Sequence, residues 1–341
     1  MYDFYSDTKS IPTKAMLESI ISAPLGDEQK GEDPTTAKLE KRVAKLLGKE
    51  AAIFMISGTM CNEIAVKVHC EPGNEIICDE TSHLLNYECG SPAALSGVIL
   101  RTLNGVNGIF SAEDVRRAIR PYSRYMPISK MLLVEQTANL GGGAIWPLEK
   151  IDSVTKVARD HGLITHMDGA RLLNAVAKTN IKASRYARDF DSVWIDFSKG
   201  LGAPCGAILA GTSEFCDKAW RQKQALGGAM RQSGVLAATC LYALDNHIEQ
   251  QAIDNNLAAS IGVRIAKLPK VIKMLPVETN IIIFDLEHDA PTAKEIVEKL
   301  QKKGILVGAF GERRVRVVTC LNVNEKAGDI LVSELSKILN N

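Results

Sequence analysis

The run Ser192-Val193-Trp194-Ile195-Asp196-Phe197-Ser198-Lys199-Gly200-Leu201-Gly202-Ala203-Pro204 places a lysine between an apolar strand and a glycine-rich turn. Lysine ordinarily belongs on a solvated surface. After the strand Ser192–Phe197, Lys199 is a candidate for a partly buried amine. Burial lowers a lysine pKa and makes the amine a usable nucleophile. The competing reading is a surface lysine beside a turn. Upstream, the strand Leu163–Met167 runs into Asp168-Gly169-Ala170-Arg171. An acid there either caps a helix or faces a cofactor ring nitrogen and keeps it protonated. Further back, Ser57-Gly58-Thr59-Met60 follows an apolar strand and opens a helix through Cys61–His69. Free N–H groups and a positive dipole end suit a phosphate at such a point. Taken alone, the motif reads as an ordinary serine N-cap.

The same pattern extends outward. Short apolar runs at Ala51–Ser57, Glu75–Cys78, Val98–Thr102, Met131–Glu135, Leu163–Met167, Ser192–Phe197 and Gly206–Gly211 lack strict polar alternation, as in a sheet covered on both faces. Amphipathic stretches lie between them, for example Pro147–His161, which ends at Gly162. Strands alternating with helices predict an α/β fold with a large, doubly wound, mostly parallel sheet. All three motifs then fall just past carboxyl ends of strands, where such sheets bind ligands. From about Ile253 the pattern changes: strands Asn280–Leu286 and Arg314–Thr319 flank a helix at Pro291–Lys303, and a last helix runs Glu325–Leu339. We read residues 1–252 as an N-terminal arm plus the large domain and 253–341 as a small C-terminal α/β domain, joined by one long helix from Ser233 to about Ala252.

Composition narrows the function classes. A chain of 341 residues with 46% hydrophobic and 24% charged residues is ordinary globular usage. A formal net charge of +1 gives no reason to expect nucleic acid or an anionic membrane as partner. No apolar run approaches the length of a membrane span. The start, MYDFYSDTKS, lacks the apolar core of a signal peptide. The eight cysteines form no C-x-x-C pair, so reduced thiols in a cytoplasmic protein are expected, with no metal site.

Together the three motifs are far more specific than any one. A phosphate cradle, a ring-nitrogen acid and a Schiff-base lysine are the set that pyridoxal 5'-phosphate (PLP) requires. Over nearly its whole length the chain resembles the low-specificity L-threonine aldolase family. The matching stretches are Ser6-Asp7-Thr8, Gly31-Glu32-Asp33-Pro34-Thr35, Ser57-Gly58-Thr59-Met60, Ser82-His83, Asp168-Gly169-Ala170-Arg171-Leu172, Ser198 to Pro204, Met230-Arg231-Gln232 and Val318-Thr319. The resemblance implies a PLP enzyme of fold type I, a homotetramer or at least a dimer, with active sites built at a dimer interface. It implies that Lys199 holds the cofactor, that Asp168 pairs with the pyridine nitrogen and that His83 stacks on the ring. It implies that Ser57, Gly58 and Thr59 hold the phosphate and that Arg231 lies near the partner's cofactor. Ser6, Arg171 and Arg316 would hold the carboxylate of an amino-acid substrate, a task suited to a planar guanidinium.

The chain also departs from that pattern. Tyr125, Ala138 and Cys320 stand where the family usually has histidine, Lys30 stands for a usual tyrosine, and Gln224, beside Lys223, for a usual lysine. The cofactor machinery is kept while groups near the substrate side chain differ. The expected reaction is aldol cleavage of a β-hydroxy-α-amino acid, such as L-threonine or L-allo-threonine, to glycine and an aldehyde. Discrimination between the two epimers is expected to be weak. The base for the β-hydroxyl would be His83, with Glu88 or Tyr125 holding a water. Racemisation or β-elimination on the same scaffold are the rival reactions, and a non-catalytic binding protein is the remaining alternative.

Overall fold

The computed structural model describes residues 1–340; Asn341, the last residue of the expected small domain, lies outside them. Thirteen strands occur among the described residues: β1 Tyr2–Asp3, β2 Ala51–Met55, β3 Asn74–Asp79, β4 Ile99–Leu103, β5 Ile128–Glu135, β6 Ile164–Gly169, β7 Ser192–Asp196, β8 Ala207–Gly211, β9 Val271–Met274, β10 Ile281–Leu286, β11 Ile305–Leu306, β12 Gly308–Ala309 and β13 Arg314–Val318. The large sheet has the order β2-β8-β7-β6-β5-β3-β4. Its five central and distal strands pair in parallel, and β8 runs antiparallel to both β2 and β7. This is the doubly wound, mostly parallel sheet that the apolar runs predict. Strands such as β7 and β8 are buried at every residue, because helices cover both faces.

Local chemistry sets the helices that matter for the site. The helix Gly58–His69 starts where Ser57 turns its hydroxyl to accept from the Met60 N–H. The expected helix Pro147–His161 spans Leu148–Asp160. Asp168 and Gly169 are the last residues of β6 and do not follow it.

A second, antiparallel sheet has the order β12-β13-β10-β9. Phe284, Val315 and Val317 from this sheet pack with Leu300, Leu331 and Leu335 into a separate core. Phe4 joins that core and β1 pairs in parallel with β11, so the N-terminal arm is stitched to the C-terminal layer. The single connecting helix expected from Ser233 to about Ala252 is instead two, Gly234–Asn246 and Gln250–Ile265. The break falls at His247, whose Nδ1 lies 2.8 Å from the Leu201 carbonyl in the turn after Lys199. The second helix then carries Leu257, Ile261 and Ile265 into the smaller core. No helix among the described residues is long and apolar enough to cross a membrane.

Candidate active site

Register brings the chemistry together. Glu135 and Asp168, at the carboxyl ends of β5 and β6, are lateral neighbours, and Asp168 pairs in turn with Trp194 in the middle of β7. Lys199 follows three residues after β7, at the mouth of the same edge. Its Nζ pairs with Asp196 Oδ2 at 3.0 Å and lies 5.5 Å from the Trp194 ring centre. The side chain is 15% exposed, so the amine is sheltered yet reachable. The turn that holds it is tight. A Cβ on Gly200 would come within 2.6 Å of the Gln251 amide, and Gly202 has φ +76°, a left-handed conformation that favours glycine.

Trp194 is the floor on which several of these groups rest. Its Nε1 donates to Asn62 Oδ1 at 2.7 Å. A Cβ on Gly58 would meet its indole at 2.2 Å, so only glycine lets the helix Gly58–His69 seat its first turn there. Gly58 and Thr59 have N–H groups without an acceptor inside the helix, the arrangement that suits a phosphate. Ser57, half-buried, uses its hydroxyl as the helix cap.

Asp168 is buried. Its Oδ1 accepts from the Ala170 N–H at 3.0 Å and its Oδ2 from Asn62 Nδ2 at 3.0 Å. Asn62 Nδ2 also donates to Glu88 Oε1 at 2.7 Å, and the same oxygen lies 2.7 Å from His83 Nδ1. His83 is held from behind by Glu135, whose Oε2 accepts the His83 backbone N–H at 2.7 Å. Burial works against charge on His83, but the bond to Glu88 and the charges of Asp168, Glu88 and Glu135 prevail and raise its pKa. Burial, with Asp168 adding, lifts Glu135 to about 7. His83, Glu88 and Asp168 offer ligand atoms within 4.8 Å of one another, and hydrogen bonds among themselves and with Asn62 already occupy several of these atoms.

The arginines differ from one another. Arg171, expected to hold a substrate carboxylate, turns its fork onto a carboxylate of the chain itself. Its Nε and one terminal nitrogen donate to the two oxygens of buried Asp7 at 2.7 and 2.6 Å. Although burial pushes Asp7 upward, the Arg171 guanidinium holds its carboxyl far below the usual range. Asp7 also accepts from Asn280 Nδ2 at 3.0 Å, which ties the arm to the residue just before β10. Ser6, beside it, caps the turn Asp7–Lys9 by accepting from Thr8. Arg316 is the opposite case. It is 5% exposed, has no carboxylate partner among the described residues, and its Nε finds no acceptor. One terminal nitrogen donates to Asn139 Oδ1 at 2.8 Å, and the guanidinium lies 4.9 Å from the Phe310 ring centre. Burial and the like charge of Arg171 lower its pKa to about 10.

Two expected groups lie elsewhere in the chain. Arg231 is exposed and pairs with Asp27 at 3.1 Å. Tyr125 is 86% exposed, in the segment before β5. Ala138 and Cys320 are buried; burial pushes the Cys320 thiol up. Lys223 is fully buried in a pair with Glu28. Sequence reading missed Asn62 and Trp194, which connect the acid, the histidine and the cradle. Their signal was positional: Asn62 lies one helical turn after Thr59, and Trp194 lies on the strand that leads to Lys199.

The residues present fit a phosphorylated pyridine aldehyde. They offer a sheltered primary amine, a buried carboxylate for a ring nitrogen, an imidazole, and a helix mouth that an added Cβ at Gly58 would disrupt. A family model described as beta-eliminating lyase matches residues 3–289. The probable low-specificity L-threonine aldolase 2 of Arabidopsis thaliana is 36% identical over 342 residues, covering 98% of this chain and 96% of the relative. The low specificity L-threonine aldolase of Escherichia coli (strain K12) is 33% identical over 327 residues, covering 96% of each chain. The solved structure of Leishmania major threonine aldolase superposes with a TM-score of 0.86 at 20% identity, covering 99% of this chain and 100% of that one. That of a putative L-allo-threonine aldolase from Listeria monocytogenes gives 0.82 at 23% identity, covering 99% and 96%. These two likenesses establish the fold.

Proposed function

The chain belongs to the beta-eliminating lyase family, and from that membership we propose a PLP-dependent lyase that cleaves a β-hydroxy-α-amino acid such as L-threonine to glycine and an aldehyde. One observation carries the reading: a sheltered lysine, a buried aspartate and a histidine meet at one sheet edge, and Arg316 supplies a buried cation that lacks an anion. The names of the relatives from Arabidopsis and Escherichia coli support the same activity.

When bound, PLP supplies an electron sink that weakens the bonds at the substrate's α-carbon. Lys199 provides the amine for its covalent attachment, and Asp168 keeps a proton on the ring nitrogen because a nearby anion favours the charged form. Gly58 and Thr59 present N–H groups to the phosphate, with Ser57 fixing the turn. Arg316 binds the substrate carboxylate, assisted by the nitrogen of Arg171 that Asp7 leaves unused. His83 points Nδ1 at Glu88, which leaves Nε2 to take the β-hydroxyl proton. A raised His83 pKa makes the imidazole a stronger base but keeps it protonated to higher pH, so activity should rise as pH passes through that value.

The enzyme works as a homo-oligomer, a tetramer or at least a dimer. Exposed Leu85 and Tyr87, next to His83, support this by offering apolar surface for a partner. All eight cysteines are free, which supports a cytoplasmic setting. The test is a panel of β-hydroxy amino acids assayed for glycine and aldehyde. Release of the corresponding 2-oxo acid and ammonia instead would assign β-elimination, and inversion without cleavage would assign racemisation.

A further inference from the structure

Behind His83 lies a second carboxyl that the mechanism above does not use. Glu63 follows Asn62 on the helix Gly58–His69 and is 4% exposed. Its Oε1 lies 2.6 Å from Ser91 Oγ, and its Oε2 has no partner. The Glu88 carboxyl lies close enough to act on it, and the Glu88 Oε2 is likewise buried and without a donor.

Counting protons decides how this cluster is charged. Asn62 has two amide protons, which go to Glu88 Oε1 and Asp168 Oδ2. His83 Nδ1 supplies one more to Glu88 Oε1. Ser91 has a single hydroxyl proton, yet its Oγ lies 2.6 Å from Glu63 Oε1 and 2.5 Å from the Glu88 carbonyl oxygen. Two ionised carboxylates side by side would leave both Oε2 atoms as buried, unpaired acceptors, which is costly. One added proton removes that deficit and turns the repulsion into a charge-assisted hydrogen bond.

We propose that Glu63 is a positioning residue that keeps a proton between its carboxyl and that of Glu88, so that Glu88 meets His83 Nδ1 as a fully hydrogen-bonded anion and His83 presents Nε2 to the substrate. The Nε2 clause rests on the functional reading above; the shared proton does not. Burial lifts Glu63 to about 8, with the Ser91 hydroxyl opposing and the Glu88 charge adding. The shared proton is therefore held below about pH 8 and lost above it. The charged groups facing His83 are Glu88, Asp168 and Glu135, with Tyr87 beside it on its own turn.

Glutamine and leucine at position 63 separate this role from others. Glu63→Gln keeps a neutral donor next to Glu88 at every pH. Glu63→Leu leaves Glu88 Oε2 without a donor, which makes the Glu88 carboxylate more basic and tightens its hold on the imidazolium. The measurement is an NMR titration of the His83 imidazole in the full-length holoenzyme without substrate, assigned by comparison with His83→Asn. The expected result is that Glu63→Gln holds the His83 titration near its native position, while Glu63→Leu raises it by about one pH unit or more. In turnover, Glu63→Leu should cut kcat by about tenfold or more with little change in KM. Glu63→Gln should keep kcat near native, and the native fall in kcat expected above about pH 8, where the shared proton is lost, should be absent from it. If Glu63→Gln lowers the His83 titration, Glu63 acts as an anion and the shared proton is refuted; that outcome needs no folded leucine variant. An unmoved titration in folded Glu63→Leu also refutes it. Failure to release glycine would count against the aldolase reading and leave the titration result standing.

Discussion

Arg316 should reveal its purpose through two opposite effects of one substitution. In the free protein its guanidinium is 5% exposed, forms no salt bridge among the described residues, and sits near the like charge of Arg171 with Asp7 only partly offsetting it. Burial, with Arg171 adding, brings its pKa from 12.5 to about 10. At about 1.4 kcal/mol per tenfold, that fall corresponds to roughly 3 kcal/mol by which the fold disfavours the cation. The sign is fixed. A base whose folded pKa is depressed destabilises the fold at every pH below that value, and the cost fades only as pH rises from about 10 towards 12.5. At neutral pH the full cost applies.

Arg316→Met removes the charge and keeps most of the volume. It forfeits the contact with Phe310 and the bond to Asn139, whose half-buried oxygen can take a water instead. The net expectation is a fold that is unchanged or more stable by about 1–2 kcal/mol, as when unpaired buried charge gives way to apolar packing. A substrate carboxylate gains what the fold forgoes. Losing its buried cationic partner should cost about 2–5 kcal/mol of binding, roughly thirtyfold to several thousandfold in kcat/KM, mostly as a rise in KM. Guanidinium chloride unfolding without substrate and steady-state cleavage of L-threonine measure the two effects. A variant that unfolds at lower denaturant while its KM is unchanged would show that Arg316 is a structural cation.

Three further outcomes follow from the same geometry. Lys199→Ala should leave a folded protein that cannot turn over, and borohydride reduction of the native holoenzyme followed by peptide mapping should place the pyridoxyl group on Lys199; a label on any other lysine removes the assignment. Asp168→Asn should fold and bind PLP yet lose about 3–4 kcal/mol of barrier lowering, because a neutral amide does not hold the ring nitrogen protonated; near-native turnover would make the acid structural. Discrimination between L-threonine and L-allo-threonine should be weak, since Ala138 offers no polar group and Tyr125 lies on the surface of the chain; a strong preference in kcat/KM for one epimer would place the discriminating group at His83 or on the partner subunit.

How far the sequence could be read depended on the range over which each feature is determined. The Lys199 turn and the strands around it were legible because they are local: an apolar run buried on both faces, then glycines where the chain bends. The break at His247 was not, because periodicity runs through it, and the ring bonds a carbonyl in the Lys199 turn 46 residues away. The two arginines show the same limit more sharply. Arg171 and Arg316 look alike in sequence, one an arginine just after a strand and the other within one. Their difference rests on Asp7, which lies 164 residues from Arg171 and reaches it only because β1 pairs with β11 and carries the arm onto the C-terminal layer. One arginine enters the site already neutralised and the other enters it without an anion. The structure therefore separates two arginines that composition and spacing leave merged: Arg171 is paired with the arm, and Arg316 has no salt-bridge partner among the described residues. The Glu63–Glu88 pair follows the same logic at shorter range. Two acids in a sequence read as two negative charges, and only their shared burial behind His83 turns them into one charge and one proton.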